Sequence, residues 1–155
     1  ISLARSRDFQ VRIEALKGLA DNPDPRALKV LVEAARGTDP RIAEAALEAL
    51  ADSDEPGALD AFKTALHWDP RNVRALVWAG MVEMNRNHPR EAVEHFGAAT
   101  RLDPTNVEAW VGVANATMAL GAWDRAEAAL QHAAQLDPDS PDVKQSAEHL
   151  RSLRR

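Results

Sequence analysis

The dipeptide Asp-Pro recurs at a fixed interval through the second half of this chain. Asp69-Pro70, Asp103-Pro104 and Asp137-Pro138 lie 34 residues apart, each behind an alanine-rich apolar run. A constant period in the thirties marks an array of helix pairs, in which each pair buries its apolar face against its neighbours. Two earlier copies, Asp24-Pro25 and Asp39-Pro40, do not keep that interval. They expose a second repeat with an offset of 31: Ala15-Leu16 matches Ala46-Leu47, Pro25 matches Pro56, and Ala27-Leu28 matches Ala58-Leu59.

Few aromatics and an excess of Ala, Leu, Glu and Arg favour helix. Apolar spacing and breakers then place the elements. Asp8 caps a first helix that runs to about Ala20 through Val11, Ala15, Leu16 and Leu19. Asp24 caps a second, with Pro25 at its first position, and Gly37 stops it. Asp39-Pro40 starts a third, and Asp54, Glu55 and Pro56 open a fourth with Leu59, Phe62 and Leu66. The last helix has Ser140 as cap and one stripe, Val143, Ala147 and Leu150, with polar residues elsewhere, as a terminal capping helix needs. No equally polar helix covers the other end and the first residue is Ile1, so attachment to a larger chain or complex is expected.

The first half, about residues 8–66, resembles HEAT repeats in its Asp39-Pro40-Arg41-Ile42 to Leu50 helix followed by Pro56 to Leu66. The second half, about 58–155, resembles the tetratricopeptide repeat. Trp110, Val113, Ala114, Thr117, Gly121, Trp123, Ala126, Leu130, Ala133 and Pro138 carry that pattern. Its earlier copy is Leu76, Ala79, Gly80, Glu83, Asn87, Ala92, Phe96, Ala99 and Pro104. The departures are Glu83 and Thr117, where that family prefers a ring, and Asn87 in place of its loop glycine, so looser local packing is expected there. Ala58, Phe62, Ala65, Trp68 and Pro70 fit the second helix of the same pattern, so the fourth helix closes one array and opens the other. The resemblance implies an all-α fold, a right-handed α-solenoid of antiparallel helix pairs with about nine helices. Its expected divisions are HEAT-like repeats over 1–68, two tetratricopeptide units over 69–138 and a capping helix over 139–155, in one continuous solenoid.

Chemistry is harder to find. There is no cysteine, so disulfides and thiolate catalysis are excluded, and the compartment stays open between cytoplasm and periplasm. No glycine-rich phosphate loop, G-x-S-x-G or H-E-x-x-H is present. His67, His88, His95, His132 and His149 are scattered, and Glu91 with His95 reads as a surface pair. Asp52-Ser53-Asp54-Glu55 lacks the spacing of a calcium loop and reads as an inter-helix turn. A formal charge of −5 argues against a nucleic-acid partner, and Arg5, Arg7, Arg12, Arg151, Arg154 and Arg155 read as solvated ends. No apolar run approaches the roughly 18 residues of a membrane span. No enzyme activity, metal or cofactor is expected.

The remaining feature is a stripe. The resemblance implies that the first helix of each tetratricopeptide unit lines a peptide-binding groove. The groove positions are Arg74, Val77, Met81, Met84 and Asn85, then Glu108, Val111, Asn115, Met118 and Ala119. All methionines of the chain fall among them, and methionine suits adaptable contact with an apolar segment. The carboxylate clamp of some family members is missing: its places hold Val77, Met81, Gly112, Asp142 and Ser146. The expected function is a non-catalytic scaffold or adaptor that binds an apolar segment of a protein or peptide partner. The alternatives are internal packing of the same stripe, and a structural accessory arm of a larger enzyme or assembly.

Overall fold

The computed structural model describes residues 8–19, 22, 24–37, 39–50 and 56–155. Among them are nine helices and no strand: α1 (Phe9–Lys17), α2 (Pro25–Ala35), α3 (Pro40–Leu50), α4 (Pro56–Trp68), α5 (Val73–Asn85), α6 (Pro89–Leu102), α7 (Val107–Ala119), α8 (Trp123–Leu136) and α9 (Pro141–Leu153). From α2 onward each helix packs against the next, and helices of like parity also touch: α1 meets α3, α2 meets α4, α5 meets α7 and α7 meets α9. The architecture is an all-α solenoid. The first helix ends at Lys17, before the expected limit, where the Gly18 amide bonds the Glu14 carbonyl. Four expectations fall outside the described residues: Ala20 as a helix end, the Asp54 cap, the 52–55 turn, and Arg5 with Arg7 as solvated ends.

The Asp-Pro punctuation has a local cause. In each copy the aspartate carboxylate accepts the amide N–H two residues on: Arg71 to Asp69 at 3.0 Å, Thr105 to Asp103 at 3.0 Å, Asp139 to Asp137 at 3.1 Å. Its carbonyl accepts the amide three residues on, from Asn72, Asn106 and Ser140. Proline sets the backbone for such a turn. The residue that receives the turn then caps the next helix: Asn72 accepts from Ala75, Asn106 from Ala109 and Ser140 from Val143. The dipeptide therefore ends a pair, and the residue three on starts the next. Earlier in the chain Asp8 accepts from Val11 at 3.0 Å and Asp24 from Arg26 at 2.9 Å. The Arg26 guanidinium also bonds Asp24, which holds that carboxyl down at about 2.

Between the two helices of a tetratricopeptide pair the chain reverses through a left-handed residue. Asn87 has φ 60° and Gly121 φ 71°. At the first, Asn87 donates to the Met84 carbonyl and His88 to that of Glu83; 34 residues on, Gly121 donates to Met118 and Ala122 to Thr117. Both are Schellman ends, which satisfy carbonyls that the helix leaves open. Gly37 follows α2 in the expected place but without the left-handed backbone; its amide donates to Ala34 at 3.0 Å instead.

The core runs along the solenoid axis. Leu16, Leu31, Leu47, Leu50 and Phe62 of α1–α4 share one cluster with Trp78, Ala79 and Val82 of α5, and the Phe62 and Trp78 rings lie 5.9 Å apart. The opposite side of α5 gives Leu76 and Val77 to a second cluster around Phe96. The Phe96 ring lies in a slot floored by Gly80 and Gly112, where a Cβ would come within 2.8 Å of the ring on the α5 side. Trp110, which carries the repeat pattern, is half-buried; its indole N–H donates to the Pro104 carbonyl at 2.8 Å and the ring stacks obliquely on His132 at 4.2 Å. Trp68, which fits the second helix of the repeat pattern, is 78% exposed, its ring edge-on to His67.

The two departures from the ring preference are solved with hydrogen bonds. Thr117 is fully buried and its hydroxyl donates to the carbonyls of Val113 and Ala114. Glu83, 4% exposed, bonds His88 Nδ1 at 2.9 Å. No buried side-chain polar atom among the described residues is left unpaired.

Candidate interaction cleft

The odd helices α5, α7 and α9 enclose an open cleft of about 910 Å³. Val111 and Met118 of α7 form its buried floor, Asn115 lies between them, and Ala119 and Trp123 close one end. Met84 enters from α5. The far wall is α9, which offers Asp142, Gln145, Ser146, Glu148, His149, Ser152 and Leu153. Positions 111, 115, 118 and 119 follow i, i+4, i+7, i+8 spacing, so one face of α7 supplies the floor.

Of the residues expected in a groove, the structure brings Met84, Val111, Asn115, Met118 and Ala119 to this cleft. The others lie elsewhere. Arg74 reaches back to α3, where it pairs with Glu44, and its guanidinium lies over the Trp78 ring at 4.9 Å. Val77 is 1% exposed in the Phe96 cluster. Met81 packs against both clusters that flank α5. Asn85 and Glu108 are exposed but do not line the cleft. Gly112, one of the clamp places, faces Phe96. The reason for Val77 and Met81 is that α5 lies between α4 and the α6–α7 layer, so core clusters on both of its sides take up its apolar surface.

Of the α9 wall, the sequence reading names the clamp places Asp142 and Ser146 but not Gln145, Glu148, His149, Ser152 and Leu153. A signal was present. Carried one repeat further, the 34-residue offset takes Val111, Asn115, Met118 and Ala119 to Gln145, His149, Ser152 and Leu153, all of which line the cleft. A second cleft of about 470 Å³ lies in the first half, lined by Ala43, Leu47, Ala65 and Trp68 among others.

Histidine chemistry is modest. His95 is half-buried rather than on a solvated face, and burial pushes its pKa down, with Lys63 acting in the same direction and Glu83 and Glu94 against it. Among the described residues no three His, Asp or Glu side chains come together as a metal site. No helix among them is long and apolar enough to cross a membrane.

Helix pairs stacked in a row, with helices of one parity lining a common face, define an α-solenoid repeat protein. The chain belongs to the HEAT repeats, matched over residues 1–80, and carries a tetratricopeptide repeat match over 84–150. The first match ends inside α5. Compared with curated proteins, the sequence matches none. Solved structures with the same fold include the Arabidopsis OM64 TPR domain, at 19% identity over 82% of this chain and 96% of that one, TM-score 0.62. The first TPR of Spaghetti (RPAP3), bound to HSP90 peptide SRMEEVD, is 15% identical over 84% and 94%, TM-score 0.62. The TPR2B domain of yeast Sti1, in a pHsp70 complex, is 23% identical over 70% and 90%, TM-score 0.61.

Proposed function

We propose that this chain is a non-catalytic protein-interaction module whose α5–α7–α9 cleft takes an apolar segment of a partner protein. The observation that carries the reading is the joining of Met84, Val111 and Met118 from consecutive odd helices along one cleft, with Asn115 between them. A methionine-lined surface adapts to more than one apolar side chain, and the Asn115 amide is placed to hydrogen-bond a peptide backbone. Among structural neighbours of this fold, the Spaghetti domain holds the HSP90 peptide SRMEEVD and the Sti1 domain is in a complex with pHsp70. The binding positions differ from the simple stripe along each first helix: they comprise Met84, Val111, Asn115 and Met118 with the α9 wall, while Arg74, Val77 and Met81 serve the core and the junction. We read residues 1–68, 69–138 and 139–155 as one continuous solenoid, supported by the sharing of one core between α1–α4 and Trp78, Ala79 and Val82.

The test is site-specific photocrosslinking in the native cell. A benzophenone side chain at Asn115 or Gln145 should capture a defined apolar segment of one protein, while the same group at Glu91, on α6, should not. Met84→Gln with Leu153→Gln should abolish capture and leave the helical circular dichroism unchanged. Equal capture from all three positions, or capture that survives the double substitution, would refute the assignment.

A further inference from the structure

Charge on α9 is sorted by face. Asp142 and Glu148 line the cleft, and neither carboxylate makes a hydrogen bond or ion pair within the described residues. The cations of the same helix and its C-terminal cap are engaged away from it. Lys144 bonds Asp139 at 3.2 Å, and Arg154 bonds Asp124 at 3.0 Å and Glu127 at 2.7 Å on α8. Arg151 lines a separate depression against α8. Among the described residues no Lys or Arg lines the cleft, and His149 is its one group able to carry positive charge. The ligand surface is therefore thioether and aliphatic at the floor and anionic along the α9 wall.

We propose that the cleft takes a basic amphipathic segment of a partner protein. Its apolar side chains would seat on Met84 and Leu153, above the buried floor of Val111 and Met118, and its Lys or Arg side chains would reach Asp142 and Glu148. The proposal rests on the protein-binding reading of the same cleft and adds a charge preference to it. The preference is opposite in sign to an acidic peptide such as SRMEEVD, the ligand of the Spaghetti domain. A carboxylate entering this cleft would lose water and meet Asp142 and Glu148 with no Lys or Arg among the described residues to pair it, which disfavours it.

The experiment uses the full chain and a matched set of labelled synthetic peptides. All have the same leucine positions, with Lys, Gln or Glu at every other position, and binding is read by fluorescence anisotropy at physiological salt. The Lys peptide is expected to bind about 10-fold more tightly than the Gln peptide, from two partly exposed charge pairs, and the Glu peptide most weakly. Asp142→Asn with Glu148→Gln should remove most of that preference. Asp60→Asn with Glu91→Gln, the same charge change on the even helices, should leave it intact. Met84→Gln with Leu153→Gln should weaken all peptides alike. Circular dichroism must match the wild type throughout. If the last pair weakens binding but no Lys preference exists, or if it survives the Asp142 and Glu148 changes, the charge proposal falls and the cleft reading stands. If no peptide binds, or the Met84 and Leu153 changes have no effect, both fall.

Discussion

Gly112→Ala is expected to destabilise the protein although it replaces glycine in the middle of a helix. In an open helix that change gains about 1 kcal/mol, because alanine loses less backbone entropy. Here the added Cβ would stand 2.5 Å from Phe96 Cε1 and 2.7 Å from Cγ, where ordinary contact begins at 3.4 Å. The ring would have to retreat by roughly 1 Å. Its retreat is hindered because the same ring edge also lies against Gly80, whose own Cβ position is 2.8 Å from Cε1 and Cζ. Overpacking of this kind costs about 1–3 kcal/mol, and the clamped ring places it at the upper end. The net loss should be about 1–2 kcal/mol, a fall of about 0.5–1 M in the urea midpoint followed by circular dichroism. Gly97→Ala is the internal control: its Cβ would meet only the flexible tip of Arg101 at 3.4 Å, so it should stabilise by about 1 kcal/mol. In a Phe96→Leu background the Gly112→Ala penalty should vanish or reverse, a coupling of about 1–3 kcal/mol. Stabilisation by Gly112→Ala in the native background, or an equal penalty in both, would refute the slot.

Other expectations follow from single contacts. Asn106→Ala removes the oxygen that accepts the Ala109 amide at 2.9 Å and should cost about 1 kcal/mol in the same urea titration. At the left-handed Asn87, with φ 60°, Asn87→Ala should cost about 1 kcal/mol while Asn87→Gly is neutral or mildly stabilising; the reverse order would contradict the Schellman geometry. For His95 the folded-state pKa is depressed by burial, so the unfolded chain binds its proton more readily. Stability should be full above the ordinary histidine range and fall as the pH drops through and below it. His95→Gln should flatten that part of the pH profile, and an unchanged profile would remove His95 as its source.

The periodicity of the chain made most of the fold legible. The offsets of 34 and 31, the Asp-Pro turns and the polar caps are local matters: a carboxylate bonding the amide two residues on, or an asparagine capping its own helix, needs no distant partner. That Val111, Asn115 and Met118 share one face of α7 was legible for the same reason, since i, i+4, i+7 spacing fixes one face of a helix. What spacing alone could not decide is which face remains uncovered. Met81 and Asn115 occupy equivalent places 34 residues apart, yet one packs into two core clusters and the other lines the cleft. Trp68 and Trp110 fit the same repeat pattern as the buried Phe62 and Phe96, yet they are exposed and half-buried.

Helices, caps, pairing and repeat families can thus be read along the chain, because hydrogen bonds and hydrophobic periodicity within a few turns specify them. Three further features emerge only when the helices stack. Neighbours close off α5, Phe96 needs two glycines, and α9 turns Asp142 and Glu148 toward the cleft while Arg154 reaches α8. A buried surface is defined by the element that covers it, and that element lies far away in sequence.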